Sequence, residues 1–387
     1  MLKETVPVQL YWGKDLKSST PWYGGFVNAV FYPFLQYGTS SSNLGSLNLS
    51  DHNISGDYTT GGILHYDLNG GETNALTIAK EVFSKKAYLS LLLQLQNDEK
   101  KNERKLVLDG GANIGTFCLY MGSQLSNTDF VAIEAVPRTR EIFKANVLST
   151  SKDKINPSNA VHVSSMGLQG VWKKDTSDIE EMMPCSTSFI HFVCQTSNST
   201  SESSLDVKHD SMMKALADPN QKLFKHRFGA SWPFLTSINS FLPSFLRSVV
   251  QRIGVAYLYR YMQYNVNLGS VKDIVKESGI DPNDDRKIDL LKLDTEGLEL
   301  PILLDIPQSI WKRLQVVAVE IHDTREGELK NATATLKAGG LEEVWHLPDF
   351  EYNKRGANKH LLIAGRAGVL KDVVIENMKK EGFVKLD

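Results

Sequence analysis

Lys105 to Met121 reads KLVLDGGANIGTFCLYM: a short apolar run, an acid, two adjacent glycines, then the opening of a helix. A buried strand that ends in an acid and a glycine turn and leads into a helix is where an open α/β sheet binds its ligand. The glycines let ligand and backbone approach closely. A dinucleotide fingerprint of the GxGxxG kind would need glycine at 112, where Ala112 stands. An acid placed directly before the turn suits a cationic amino-acid ligand better than a pyrophosphate. Asp109, Gly110, Gly111, Asn113 and Gly115 are therefore the candidate cofactor contacts on this segment.

On the C-terminal side the pattern alternates. A helix is expected over 114–125, a strand over 130–134 (FVAIE), a helix over 138–148 and a strand over 161–165 (VHVSS). Short apolar runs separated by amphipathic helices signal a parallel sheet with helices on both faces, the doubly wound, Rossmann-like class of α/β fold. The alternation stops near residue 170 and resumes with IDLLKLD (288–294), a helix over 298–304, VVAVEIH (316–322) and a helix over 326–338 closed by Gly339 and Gly340. Two last strands, 342–347 and 360–365, are joined by a loop and read as an antiparallel hairpin at the sheet edge.

Four segments follow. Residues 1–76 form an irregular N-terminal extension rich in Gly, Ser, Asn and aromatics, ahead of a first helix over 77–95. Residues 77–169 and 266–387 are the two parts of the main domain, and 170–265 is inserted between its third and fourth strands. Pro219 to Val271 contains no Asp or Glu, yet holds six Lys and Arg among ten Phe, Trp and Tyr before residue 265. Aromatics forming the core of an ordinary subdomain are the preferred reading. Peripheral contact of residues 222–262 with an anionic membrane, or a lid over the substrate, is the alternative.

Glu134 ends the second strand, 25 residues after Asp109, where a carboxylate can accept both hydroxyls of a ribose. Alone it says adenosine rather than any one cofactor, and a strand-end acid capping the next helix, with Pro137 in its first turn, is the bland alternative.

These residues resemble a known family. LVLDGGANIGTFCLYM (106–121), VAIEAVPRTREIFKANV (131–147), KIDLLKLDTEGLELPILLDI (287–306) and VVAVEIHD (316–323) are similar to the FkbM-type branch of class I S-adenosylmethionine-dependent methyltransferases. The Asp-Thr-Glu-Gly segment at 294–297 carries most of the resemblance. The family has an apolar residue where Gly110 stands and a short connection where this chain inserts close to a hundred residues. The resemblance implies a class I methyltransferase sheet, S-adenosyl-L-methionine as cofactor, and O-methylation of a hydroxyl on a sugar, glycan or small natural product. The competing readings are a non-catalytic scaffold of the same fold and a nucleotide-dependent oxidoreductase; Ala112 and Asp-Thr-Glu-Gly speak against the second.

Methyl transfer to oxygen needs an oxygen aligned behind the methyl and a base for its proton. Asp294, Glu296, Glu320, His322 and Asp323 all fall at the carboxyl ends of two neighbouring expected strands. His322 is the first choice of base, as a neutral imidazole beside carboxylates, with Asp294 the second catalytic candidate. No metal ligand is assigned: a divalent cation held by the same acids and His322 ranks behind metal-free chemistry.

The totals narrow the rest. The chain has 387 residues, 41% hydrophobic and 23% charged, with a net charge of −2, an ordinary globular balance without the global basic field that nucleic acid would call for. Cys118, Cys185 and Cys194 show no metal-finger spacing and lean towards reduced thiols in a cytoplasmic setting, against four N-x-S/T triplets at Asn48, Asn53, Asn198 and Asn331. The sequence shows no signal-peptide pattern after Met1 and no spanning stretch of apolar residues.

Overall fold

The computed structural model describes residues 44–52, 54, 62–67, 72–84, 86–96, 103–148, 155–173, 261–281, 285–322, 327–348 and 359–386, with the backbones of short strands at Thr5–Gln9, Gln36–Gly38, Met182–Pro184, Ser188–Phe192 and Ser199–Ser201. Most of the inserted segment lies outside these, including residues 222–260 and with them the expected lid or membrane contact.

An eight-stranded sheet forms the centre. In chain order its strands are β1 (Lys105–Gly110), β2 (Thr128–Ile133), β3 (Ala160–Ser164), β4 (Ile288–Leu293), β5 (Leu314–His322), β6 (Glu343–Pro348), β7 (Lys359–Gly365) and β8 (Val384–Leu386). Across the sheet they run β3-β2-β1-β4-β5-β7-β6-β8, parallel from β3 to β5 and antiparallel from β5 onward. The order reverses between β1 and β4, so the carboxyl ends of these two strands flank the crevice where such sheets bind ligands. This is the class I methyltransferase sheet, and the insertion enters between β3 and β4 as expected.

The central strands are apolar runs because both faces are covered. Leu106, Leu108, Leu291, Leu293, Val317 and Val319 face one layer, and Val107, Phe130, Ala132, Leu290, Val316 and Ala318 face the other. The first layer is built on helices α5 (Val271–Glu277), α6 (Glu299–Asp305), α7 (Gln308–Trp311) and α8 (Glu328–Ala338). The second holds α1 (Glu72–Ser84), α2 (Lys86–Gln96), α3 (Thr116–Gln124), α4 (Pro137–Val147) and α9 (Asp372–Lys380). Pro137 opens α4 as read from the sequence.

Three expectations need correction. The single helix over 77–95 is two helices, α1 and α2. The 342–365 hairpin exists, but β7 lies inside the sheet against β5, and the edge is β8, a strand of three residues that alternation could not reveal. The N-terminal extension is not irregular throughout: Leu44–Asn48 and Ile63–Asp67 form an antiparallel hairpin. Asn146 of α4 ties that hairpin down, its amide donating to the His65 carbonyl at 3.0 Å and its Oδ1 accepting the His65 N–H at 2.6 Å. Beside it the Arg138 guanidinium meets Asp67 at 2.9 Å, with both side chains buried.

These additions explain why α3 is apolar all round, Thr116 to Gly122 being buried without a break. A helix of that kind needs cover on every side. Phe83 of α1 packs edge-on against Tyr120, and Tyr88 of α2 tilts against Phe117. Among the described residues no helix is long and apolar enough to cross a membrane.

Candidate functional site

The β1 turn is built by glycine. Gly111 has φ +74°, and a methyl group there would run into the Asp294 carbonyl, so only glycine lets the β1 and β4 ends sit this close. Gly115, φ +91°, starts α3 against Phe143 and Val147, and Asn113 takes φ +53° between them. Gly110 is the last residue of β1 rather than part of the turn, wedged between the side chains of Leu168 and Leu293.

A small cleft, open to solvent on one side, lies over the carboxyl ends of β1, β2 and β4. Of the residues expected to bind cofactor, Gly111, Asn113 and Glu134 line it; Asp109, Gly110 and Gly115 do not. Asp294, Thr295 and Glu296 line it from the β4 side.

Glu134 is 5% exposed. Its Oε2 accepts the Asn113 N–H at 3.0 Å and its Oε1 the Val136 N–H at 2.9 Å. Two backbone donors thus aim a carboxylate that borders the cleft. Burial pushes its pKa from 4.5 up to about 7, against the pull of those two N–H groups.

Asp109 is fully buried beneath the turn. The cause is register: Lys292 of β4 is its direct partner across the sheet. The Lys292 ammonium lies 3.2 Å from Asp109 Oδ1, donates to the Gly111 carbonyl at 3.0 Å and sits 3.9 Å from Asp294 Oδ2. Cys118 donates its thiol to Asp109 Oδ2 at 3.3 Å. Burial opposes the Lys292 charge, but Asp109 and Asp294 outweigh it and raise its pKa. Asp109 thus braces the β1 and β4 ends from below. Sequence reading passed over Lys292, although a lone lysine in an apolar strand, IDLLKLD, is a signal that a buried anion awaits it.

Glu296, Glu320 and His322 of the expected acid edge lie together, with one addition. Glu299, in the first turn of α6, gathers the Asp294–Gly297 loop: Oε1 accepts the N–H of Thr295 at 2.8 Å and of Gly297 at 3.0 Å, and Nδ1 of His322 lies 3.2 Å away. This clasp holds Glu296 at φ +56°, a conformation costly for a side chain longer than glycine. The only hint of it in the sequence is an acid in the first helical turn.

His322 is 6% exposed, with Nε2 3.5 Å from Glu296 Oε2 and 3.8 Å from Glu320 Oε1. Burial and Lys359 depress its pKa, but Glu299 and Glu296 prevail and raise it to about 9. The surrounding carboxylates thus favour the charged imidazole over the neutral one expected of a base. Glu320 is bound by Lys359 at 2.7 Å. Asp294, with 30% of its side chain exposed, is the catalytic candidate that reaches the cleft, its pKa raised by burial and then by Glu320. Asp323 lies outside the described residues.

Fold and site define a class I methyltransferase fold with its cofactor crevice formed. Residues 271–350 match the family model of the Methyltransferase FkbM domain. A curated relative, the AMB antimetabolite synthetase AmbE of Pseudomonas aeruginosa, is 24% identical over 250 residues. That match takes in 65% of this chain and 10% of the synthetase, so the chain spans about a tenth of the relative's length. Among solved structures, the human methyltransferase 10 domain containing protein is 12% identical, with 72% of this chain and 81% of that one covered at a TM-score of 0.33. Aeropyrum pernix fibrillarin, solved with natively bound S-adenosyl-L-methionine, is 11% identical with 94% and 100% covered at a TM-score of 0.29. The fold assignment rests on strand order and crevice, not on these loose superpositions.

Proposed function

We propose that this protein is an S-adenosylmethionine-dependent methyltransferase that methylates a hydroxyl oxygen of a sugar or small natural product. The observation that carries the reading is Glu134: a buried carboxylate, aimed by two backbone N–H groups, borders the same cleft as the Gly111 turn and Asp294. Gly111 lets the ends of β1 and β4 close on each other at the rim of the cleft, and Glu134 presents acceptors where ribose hydroxyls donate, so the residues fit S-adenosylmethionine. That cofactor supplies an electrophilic methyl on a sulfonium centre.

The chain's own part is positioning and proton transfer. Gly111 and Asn113 approach the ligand with backbone, and Glu134 fixes the ribose. Asp294, on the opposite wall, receives the acceptor's hydroxyl proton as the oxygen forms its bond to the methyl. His322 and Glu299 keep the Asp294–Gly297 loop in the shape that presents that carboxylate. The match to an antimetabolite synthetase supports a small-molecule acceptor.

Calorimetry with S-adenosylhomocysteine tests the cofactor. One-to-one binding weakened by Glu134→Ala by about 1 to 3 kcal/mol, the range for charged hydrogen bonds, is expected; a folded chain that binds nothing removes the reading. With an acceptor in hand, Asp294→Asn should lower kcat by about 10²- to 10⁴-fold, the usual worth of a general base, while leaving homocysteine-form affinity within a factor of a few.

A further inference from the structure

We infer that the acid edge of this site is a divalent-cation site, with Nε2 of His322 and the carboxylates of Glu296 and Glu320 as ligands and Asp294 on its cleft side. Nε2 of His322 is buried and makes no hydrogen bond. It points into a ring of acids instead: Glu296 Oε2 is 3.5 Å away and Glu320 Oε1 3.8 Å. Ligand atoms sharing a cation on bonds of about 2.1 Å lie roughly 3 to 4 Å from one another, and both separations from Nε2 fall in that range.

The other ring nitrogen has the partner such a site requires. Nδ1 faces Glu299 Oε1 at 3.2 Å, and Glu299 is itself held by the backbone of Thr295 and Gly297. A carboxylate on the far side of an imidazole fixes its orientation and leaves Nε2 for a metal, the usual arrangement around metal-bound histidines. Glu299 is thus an orienting residue for the site.

Two carboxylates and one imidazole suit Mn2+ or another first-row dication better than Ca2+. Beside the cleft such an ion would bind the acceptor oxygen and lower its pKa; that use rests on the methyl-transfer reading above, but the binding does not.

The test is titration of Mn2+ into the full chain without cofactor, followed by loss of the free-ion electron paramagnetic resonance signal. Stoichiometric uptake is expected, weakened at least tenfold in both His322→Ala and Glu320→Gln. Circular dichroism checks that each variant is folded, and calorimetry checks that it still binds S-adenosylhomocysteine. If His322→Ala does not fold, Glu320→Gln decides alone. A folded parent that leaves millimolar Mn2+ free, or a folded variant that takes it up as the parent does, overturns the site. S-adenosylhomocysteine binding is read separately, so failure here does not touch the cofactor assignment, nor the reverse.

Discussion

Single residues decide whether the crevice exists. Gly111 stands where a methyl would strike the Asp294 carbonyl, with φ in the left-handed region. Gly111→Ala should destabilise the chain by about 3 kcal/mol or more, strain and overpacking adding together, as read from urea unfolding. Glu134 makes the crevice responsive to pH. Its folded pKa, about 7 against 4.5 in an exposed chain, means the folded state binds this proton more tightly than the unfolded one. Its contribution to stability is therefore complete below about pH 4.5 and is lost as pH rises through 7. Ligand hydroxyls that donate to the ionised carboxylate reverse the preference. S-adenosylhomocysteine affinity should accordingly rise from pH 6 to pH 8 in calorimetry, and Glu134→Gln should flatten that rise.

At the scale of elements, the Leu44–Asn48/Ile63–Asp67 hairpin is fastened to α4 by polar contacts that leave little tolerance. Arg138 and Asp67 are 6% and 1% exposed, so neither charge can turn to water. Arg138→Ala, which removes the cation beside Asp67, should cost about 3 to 5 kcal/mol, the range for breaking a buried pair from one side. Replacing both residues by apolar ones of similar volume should recover most of that loss in thermal melts. The same logic separates Asp109 and Lys292 from the ligand-facing residues: they join β1 to β4 by register, and their charges are spent on each other.

For the whole molecule, the segment before β1 acts as part of the methyltransferase domain. Phe117, Tyr120 and Met121 of α3 are buried, and α1 and α2 supply Phe83 and Tyr88 against them. At the other end of the chain, α9 packs on α2, with Asn377 donating to Ser90 at 2.6 Å. A chain starting at residue 97 should therefore expose a contiguous apolar surface, bind a hydrophobic dye strongly and sediment as aggregates, whereas the full chain should do neither. If the shortened chain were monomeric and bound S-adenosylhomocysteine normally, α1 and α2 would be dispensable cover.

Local pattern alone determined the strand–helix alternation, the glycine turn, Glu134 at the end of β2 and the convergence of Asp294, Glu296, Glu320 and His322, because these follow from side-chain period and from which strand end meets the crevice. Tertiary structure decided what those residues face. That Asp109 is spent on Lys292 and that the His322 ring is held against Glu299 depend on partners 183 and 23 positions away. It also decided that β7 lies inside the sheet and that a three-residue β8 forms the edge. The physical reason is common to all of them: periodicity reports only which side of an element is buried, whereas charge state and pairing depend on how far apart atoms from distant segments come to rest.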